Sequence, residues 1–123
     1  KVYRVAKWGF GDPRTFISTY SEIQQNLIPD SDAKYPKDKI GTYSTSVYTS
    51  KSPCNKFIAF LKKRLKKFYP NPVILIGKTS DGLVQRTIER DSNHPEANHV
   101  DWWIYDGKED YVTINFSLAE EEE

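Results

Sequence analysis

The sequence predicts an α+β fold: a mostly antiparallel sheet of about six strands with two helices, in the order β-α-β-α-β-β-β-β. Two segments carry apolar residues at helical spacing, and each begins with a Ser or Asp followed by proline. Several shorter segments are rich in Val, Ile, Thr, Tyr and Trp, as strands are, and polar or Gly/Pro-containing stretches separate them.

The first half of the chain contains two predicted strands and both predicted helices. Residues 1–8 alternate as a strand, and residues 42–49 are rich in Thr, Tyr and Val. Asp12 and Pro13 begin the first helix, and Ser52 and Pro53 begin the second. Their apolar faces are Phe16, Ile17, Tyr20, Ile23 and Leu27 in the first, and Phe57, Ile58, Leu61, Leu65 and Phe68 in the second. The loop between them, residues 30–41, is long for a small domain, and such loops are often functional.

The second half is predicted to be all strand. Residues 73–76 indicate a buried strand, and the turn signal at 80–82 predicts that residues 83–90 return as its hairpin partner. After a polar loop, 91–98, a strand over 100–105 leads through a tight turn at 106–107 into a closing strand, 111–118. We expect both helices to cover one face of the sheet.

Length and composition limit the function classes. A chain of 123 residues fits one domain, 1–119, with the run of four glutamates at 120–123 as an acidic tail. The net charge of +1 identifies no partner. A single cysteine excludes an intramolecular disulfide and makes a cytoplasmic setting the default. No apolar run approaches the about 20 residues that span a bilayer, so no membrane association is expected.

A cluster of cations lies on the second predicted helix and has three interpretations. Its members are Lys62, Lys63, Arg64, Lys66 and Lys67, with no acid among them. The cluster is the solvated face of an amphipathic helix, or a ridge that binds the phosphates of a nucleic acid, or a membrane-binding surface, which is disfavoured because the apolar face of the helix is needed for the core.

Hydroxyl groups and one arginine mark a second candidate site. Ser44, Ser46 and Tyr48 project from one predicted strand, and they either reflect β-propensity or form the polar wall of a pocket. Neither serine has a neighbouring base, so neither is an activated nucleophile. Arg4 lies on the first predicted strand, whose neighbouring residues are expected to be buried, and it needs an acid, such as Glu89 or Asp101, or an anionic ligand.

The remaining candidates cluster near the end of the chain. His99 suits either acid–base chemistry or a structural hydrogen bond. Trp102 and Trp103 face opposite ways, so one belongs to the core and the other is free to contact a ligand. The acids Glu89, Asp91, Asp101 and Asp106 are scattered, and two histidines with one cysteine do not make a metal site.

These motifs resemble known proteins. Val2-Tyr3-Arg4-Val5, Ser44-Thr45-Ser46-Val47-Tyr48 and His99 with Trp102-Trp103 follow one another as in small uncharacterised proteins of bacterial and prophage genomes, and loosely as in ADP-ribosyltransferase-type toxins. The second resemblance implies an NAD pocket in which Arg4 holds phosphates and Ser44 and Ser46 shape the wall. That family completes its site with a Glu-x-Glu or Gln-x-Glu strand motif, for which this chain offers Glu89 without a partner two residues earlier.

Three functions follow as hypotheses, and the sequence does not decide whether the protein is an enzyme. The first is a nucleotide-handling domain, ADP-ribosyltransferase-like, with Arg4, Ser44, Ser46, Tyr48 and Trp102 binding NAD and with Glu89 and His99 catalytic. The second is a nucleic-acid-binding protein or small toxin-type ribonuclease that uses the basic helix. The third is a non-enzymatic protein-binding module, such as a phage inhibitor, that uses exposed aromatic residues.

Overall fold

The computed structural model describes residues 1–119, and the expected acidic tail, 120–123, lies outside the described residues. Within 1–119 one six-stranded sheet has the strand order β4-β5-β2-β1-β3-β6, and every neighbouring pair is antiparallel. The predicted α+β class is therefore confirmed. The strands are β1 Val2–Ala6, β2 Thr45–Tyr48, β3 Val73–Gly77, β4 Gly82–Arg86, β5 His99–Ile104 and β6 Ser117–Leu118.

Four α-helices accompany the sheet in the described part of the chain. They are α1 Thr19–Gln24, α2 Ser52–Arg64, α3 Thr87–Arg90 and α4 Glu109–Thr113, with 3₁₀ turns at Pro13–Phe16 and Ile40–Tyr43. The second predicted helix is confirmed as α2, with Pro53 in its first turn, although Lys51 rather than Ser52 occupies the cap position. Because α2 ends at Arg64, Phe68 lies beyond the helix and is exposed.

The first predicted helix is divided into two pieces. Asp12 caps a 3₁₀ turn, accepting a hydrogen bond from the Arg14 N–H, and Ile17 then adopts an extended conformation. Ser18 provides a second cap, accepting from the Ser21 N–H, and α1 begins there. Two successive cap residues thus interrupt a stretch whose apolar spacing alone predicts a continuous helix.

Both predicted hairpins are wrong. The strand expected over 83–90 ends at Arg86, and β4 pairs with β5, at the opposite edge of the sheet from β3. The strand expected over 111–118 is instead α4 followed by the two-residue β6, which pairs with β3. Val112 and Phe116, four residues apart, both enter the core, and acidic residues in the first turn of α4 favour a helix start.

The sheet is covered on both faces, not on one as predicted. On one face α2 contributes Cys54 and Leu61 to a cluster with Val5, Ile74 and Ile76. On the other face the first 3₁₀ turn and α4 contribute to a cluster of Val2, Ala6, Phe16, Val47, Leu75, Val100, Trp102, Val112 and Phe116. The predicted burial of β3 is confirmed, because its central residues face alternate clusters. None of the helices within residues 1–119 has the length and apolar character needed to cross a membrane.

Candidate functional site

An open cleft of about 950 Å³ lies beside β2 and β5, and α3 and the loop that follows α1 line it as well. Strand β2 contributes Ser46, and β5 contributes His99 and Asp101. These three side chains share a face because Ser46 stands opposite Asp101 in the antiparallel register and side chains two apart on a strand point the same way. Polar residues from α3 and from the loops also line the cleft, among them Lys34, Lys39, Thr87, Arg90 and His94.

Asp101 is hydrogen-bonded to three neighbouring side chains and is only 2% exposed. The Ser44 hydroxyl donates to its Oδ1 at 2.9 Å, and the Thr87 hydroxyl contacts its Oδ2 at 3.1 Å. The Arg90 guanidinium also donates to Oδ2 and forms an ion pair with it. An ionised carboxylate, which only accepts hydrogen bonds, suits this set of donors.

His99 lies against Asp101, Thr87 and a second histidine. Its Nδ1 is hydrogen-bonded to the Thr87 hydroxyl and lies 4.0 Å from Asp101 Oδ1. Its ring is 4.8 Å from that of His94 and meets Tyr48 edge-on at 5.2 Å. Burial lowers the pKa of His99; Asp101 opposes this effect, and His94, Arg4 and Arg90 add to it. The ring is therefore neutral near pH 7.

Three cations, Lys34, Lys39 and Arg90, line the cleft together with the acids Asp38, Asp91 and Asp101. Arg90 is fixed by its ion pair with Asp101, and its guanidinium packs against Gly41, where an added Cβ would lie 2.9 Å from the Arg90 Nη2. Lys34 and Lys39 are exposed on the long loop and form no ion pair with a described residue. The expectation that this loop belongs to a site is therefore consistent with its position along the cleft.

Arg4 is satisfied by backbone rather than by an acid. Its Nε donates to the Thr15 carbonyl at 3.0 Å and its Nη1 to the Ser46 carbonyl at 2.7 Å. It is half-buried, forms no ion pair within residues 1–119, and does not line the cleft. Neither acid considered for it, Glu89 or Asp101, is its partner. Because it binds Ser46 from behind, Arg4 holds the cleft-lining strand in place.

The other predicted site residues divide into two groups. Ser44 and Tyr48 do not line the cleft but contact residues that do: Ser44 donates a hydrogen bond to Asp101, and the ring of Tyr48 packs against His99. Glu89 is exposed on α3 instead of lying on a strand and does not line the cleft. Trp102 is fully buried between Phe16 and Phe116 on the other face of the sheet, so it does not reach a ligand in the cleft.

The basic ridge, defined as Lys62, Lys63, Arg64, Lys66 and Lys67, lies apart from the cleft lining. All five side chains are exposed, and none forms an ion pair with a residue of the described chain. The first three occupy the last turn of α2, where cations interact favourably with the helix dipole. That placement explains them structurally without any ligand.

The sequence analysis did not identify Thr87, Arg90 and His94 as site residues. It named Asp101 only as one of four scattered acids and as a possible partner of Arg4. A usable signal was the spacing His-x-Asp at 99–101 at the start of a predicted strand, which puts both side chains on one face once the strand begins at His99. Among the described residues no three His, Cys, Asp or Glu side chains are grouped closely enough to hold a metal ion. Comparison with protein-family models, curated proteins and solved structures finds no match to this chain.

Proposed function

We propose that the cleft binds NAD and that the protein transfers or hydrolytically releases ADP-ribose, as do the toxins that its motifs resemble. One observation carries the proposal: Ser44, the first residue of the Ser-Thr-Ser strand, donates at 2.9 Å to Asp101 on the adjoining strand. Arg4 lies on the strand at the other side of β2 and binds it through Ser46. Of the three strand elements of the resemblance, β2 and β5 thus line the cleft through Ser46, His99 and Asp101, and β1 supports β2 from behind through Arg4.

The Glu-x-Glu motif of this family has a counterpart in the pair His99 and Asp101, in which Asp101 supplies the acid. This pair has the spacing of Glu-x-Glu, faces the cleft and lies beside Ser46. Cleavage of the bond between ribose and nicotinamide leaves positive charge on the sugar, and a fixed carboxylate stabilises such charge. Asp101 supplies that carboxylate, and Lys34, Lys39 and Arg90 suit the pyrophosphate. A volume of about 950 Å³ is at the upper end of ligand pockets, about 300–1,000 Å³, as a dinucleotide requires.

Calorimetric titration with NAD, followed by chromatographic detection of nicotinamide, tests this function. We expect the wild type to bind NAD and release nicotinamide. The double change Lys34→Glu and Lys39→Glu should weaken binding, because it reverses two charges at the cleft. Its matched control is Lys62→Glu with Lys63→Glu, which makes the same charge change away from the cleft and should bind normally. Asp101→Asn, with its melting temperature checked, should bind NAD but lose nicotinamide release. Absence of both binding heat and nicotinamide would contradict the proposal.

A second candidate, metal-independent RNA cleavage, is favoured by the paired histidines. His94 and His99 lie with ring centroids 4.8 Å apart, and one can remove a proton from a ribose 2′-hydroxyl while the other protonates the leaving oxygen. The exposed basic ridge would hold the phosphates of the strand.

Incubation with single-stranded RNA in the presence of a chelator tests this alternative. Changing Lys62, Lys63, Lys66 and Lys67 to Glu should abolish RNA retention without unfolding the protein. Wild-type affinity should fall with salt at a log–log slope of about −0.7 per phosphate contacted. If the wild type retains no RNA at low salt, the ridge is only the solvated face of a helix.

A further inference from the structure

Thr87 joins His99 to Asp101 in a continuous hydrogen-bonded chain. The Nδ1 of His99 lies 4.0 Å from the nearer recorded carboxylate oxygen, which is too far for a direct hydrogen bond. The Thr87 hydroxyl fills this gap, since it contacts His99 Nδ1 on one side and Asp101 Oδ2, at 3.1 Å, on the other. Thr87 is itself 4% exposed, so water does not compete for these positions.

The direction of the protons along this chain follows from the donors available. The Asp101 carboxylate can only accept, and the Thr87 hydroxyl has a single proton to give. That proton must point at Asp101, because two oxygens 3.1 Å apart with no proton between them would repel. The Thr87 oxygen is then an acceptor, and His99 must carry its proton on Nδ1. The neutral ring is left with an unprotonated, basic Nε2.

We propose that His99 Nε2 is the general base for a hydroxyl acceptor of ADP-ribose, and that Thr87 is the positioning residue that fixes its tautomer. This inference rests on the proposed function. In this step, His99 Nε2 removes the proton from the hydroxyl group of the acceptor, while the oxygen of that hydroxyl group bonds to C1′ of the ribose. The bond from C1′ to nicotinamide breaks, and its electron pair leaves with neutral nicotinamide. The proton on His99 then passes to solvent.

The charges around His99 favour a neutral acceptor over a cationic one. Asp101 is the acid that contacts the ring's surroundings most closely, and its lone pairs are engaged by Ser44, Thr87 and Arg90, while Asp38 and Asp91 also line the cleft. Arg4 and Arg90 contribute positive charge near the ring, and His94 and Tyr48 pack against it. A guanidinium acceptor would meet repulsion at this position, whereas an alcohol would not. Burial, which lowers the pKa of His99, keeps the base neutral and ready at pH 7.

Nitrogen NMR of the histidine rings tests the tautomer without any ligand. We expect the wild type to show a protonated Nδ1 and an unprotonated Nε2 for His99, assigned by its loss in His99→Gln. Thr87→Ser keeps the hydroxyl and should keep this pattern, whereas Thr87→Val removes it and should give mixed tautomers. A purely structural Thr87 would not change the tautomer. A wild-type ring protonated on Nε2 would overturn the proposal.

Product analysis with small acceptors tests the chemistry. With NAD and methanol we expect methyl ADP-ribose beside free ADP-ribose, and with agmatine, a guanidinium probe, no adduct. His99→Gln should lower kcat by about 100-fold or more. Thr87→Val should lower kcat with KM for NAD unchanged, and Thr87→Ser should restore it. Formation of an agmatine adduct in preference to the methyl product would overturn the acceptor class. A protein that binds no NAD refutes the proposed function, and the NMR result then still decides the role of Thr87.

Discussion

Cys54 lies on the buried side of α2, where it is fully enclosed by the cluster around Val5 and Leu61. Burial raises the pKa of its thiol to about 12, and the positive charge of Arg4 only partly offsets this. Since the thiolate is the reactive form, the folded protein should resist alkylation. We predict that iodoacetamide at about pH 8 leaves Cys54 unmodified until denaturant is added, as followed by intact mass. Rapid modification of the folded chain would contradict this burial.

The pKa of His99, lowered by burial, predicts a specific pH dependence of stability. The folded state binds fewer protons at this ring than the unfolded state, whose pKa is near 6.5. The free energy of unfolding that His99 contributes is therefore present above pH 6.5 and is lost as the pH falls through the folded pKa.

His99→Gln removes this titration and gives the comparison that isolates it. Urea unfolding between about pH 7.5 and about pH 5 should show the wild type losing stability relative to the variant as the pH falls. The titrating groups that lie away from His99 remain in both proteins and cancel. Parallel pH curves for the two proteins would show that burial does not disfavour the charged ring.

At the scale of elements, α2 is attached to the sheet chiefly through Leu61, which is 1% exposed among Val5, Ile74 and Ile76. We predict that Leu61→Ala lowers the free energy of unfolding by about 2–5 kcal/mol, since it leaves a cavity in a packed cluster. Phe60→Ala is the matched control, because Phe60 neighbours Leu61 but is 50% exposed. Urea denaturation of both variants checks this, and equal small effects would mean that α2 packs differently.

The sequence predicted elements well where the signal is local. Alternation identified β1, β-propensity identified β2, the strand expected over 100–105 is β5, the apolar run identified β3, and the pattern of apolar residues identified α2. It failed where pairing is decided by tertiary contacts. The turn at 80–82 and that at 106–107 each suggested a hairpin, but β4 pairs with β5 and β6 pairs with β3, so the two strands lie at opposite edges of the sheet.

The site was predicted by residue type more than by position. Ser46 and His99 were named because hydroxyls and histidine carry chemistry, and both line the cleft. Thr87 and Arg90 could not be found, because a short helix replaces the expected end of a strand and turns both side chains toward Asp101. Glu89, on the same helix, faces away for the same reason.

At the scale of the whole molecule, every strand pair except β4 with β5 joins strands that are not consecutive in sequence or that are separated by a helix and long loops. Tyr3 pairs with Tyr48, Val2 with Gly77, and Leu75 with Leu118. Closing such long loops costs entropy before any contact repays it, and topologies of this kind fold in about milliseconds to seconds. We predict refolding on this timescale, measured by stopped-flow fluorescence of the tryptophans, which include the buried Trp102. Refolding within microseconds would be inconsistent with the strand order.

The central position of β1 also determines what happens during synthesis. This strand leaves the ribosome long before β3, with which it pairs over its full length from Val2 to Ala6. Until then its apolar residues, Val2, Val5 and Ala6, have neither a sheet neighbour in β3 nor the core contacts that come from later segments. The nascent chain therefore carries β1 without its β3 neighbour until Val73–Gly77 has been synthesised, which makes it a candidate client for chaperones that bind extended hydrophobic peptides.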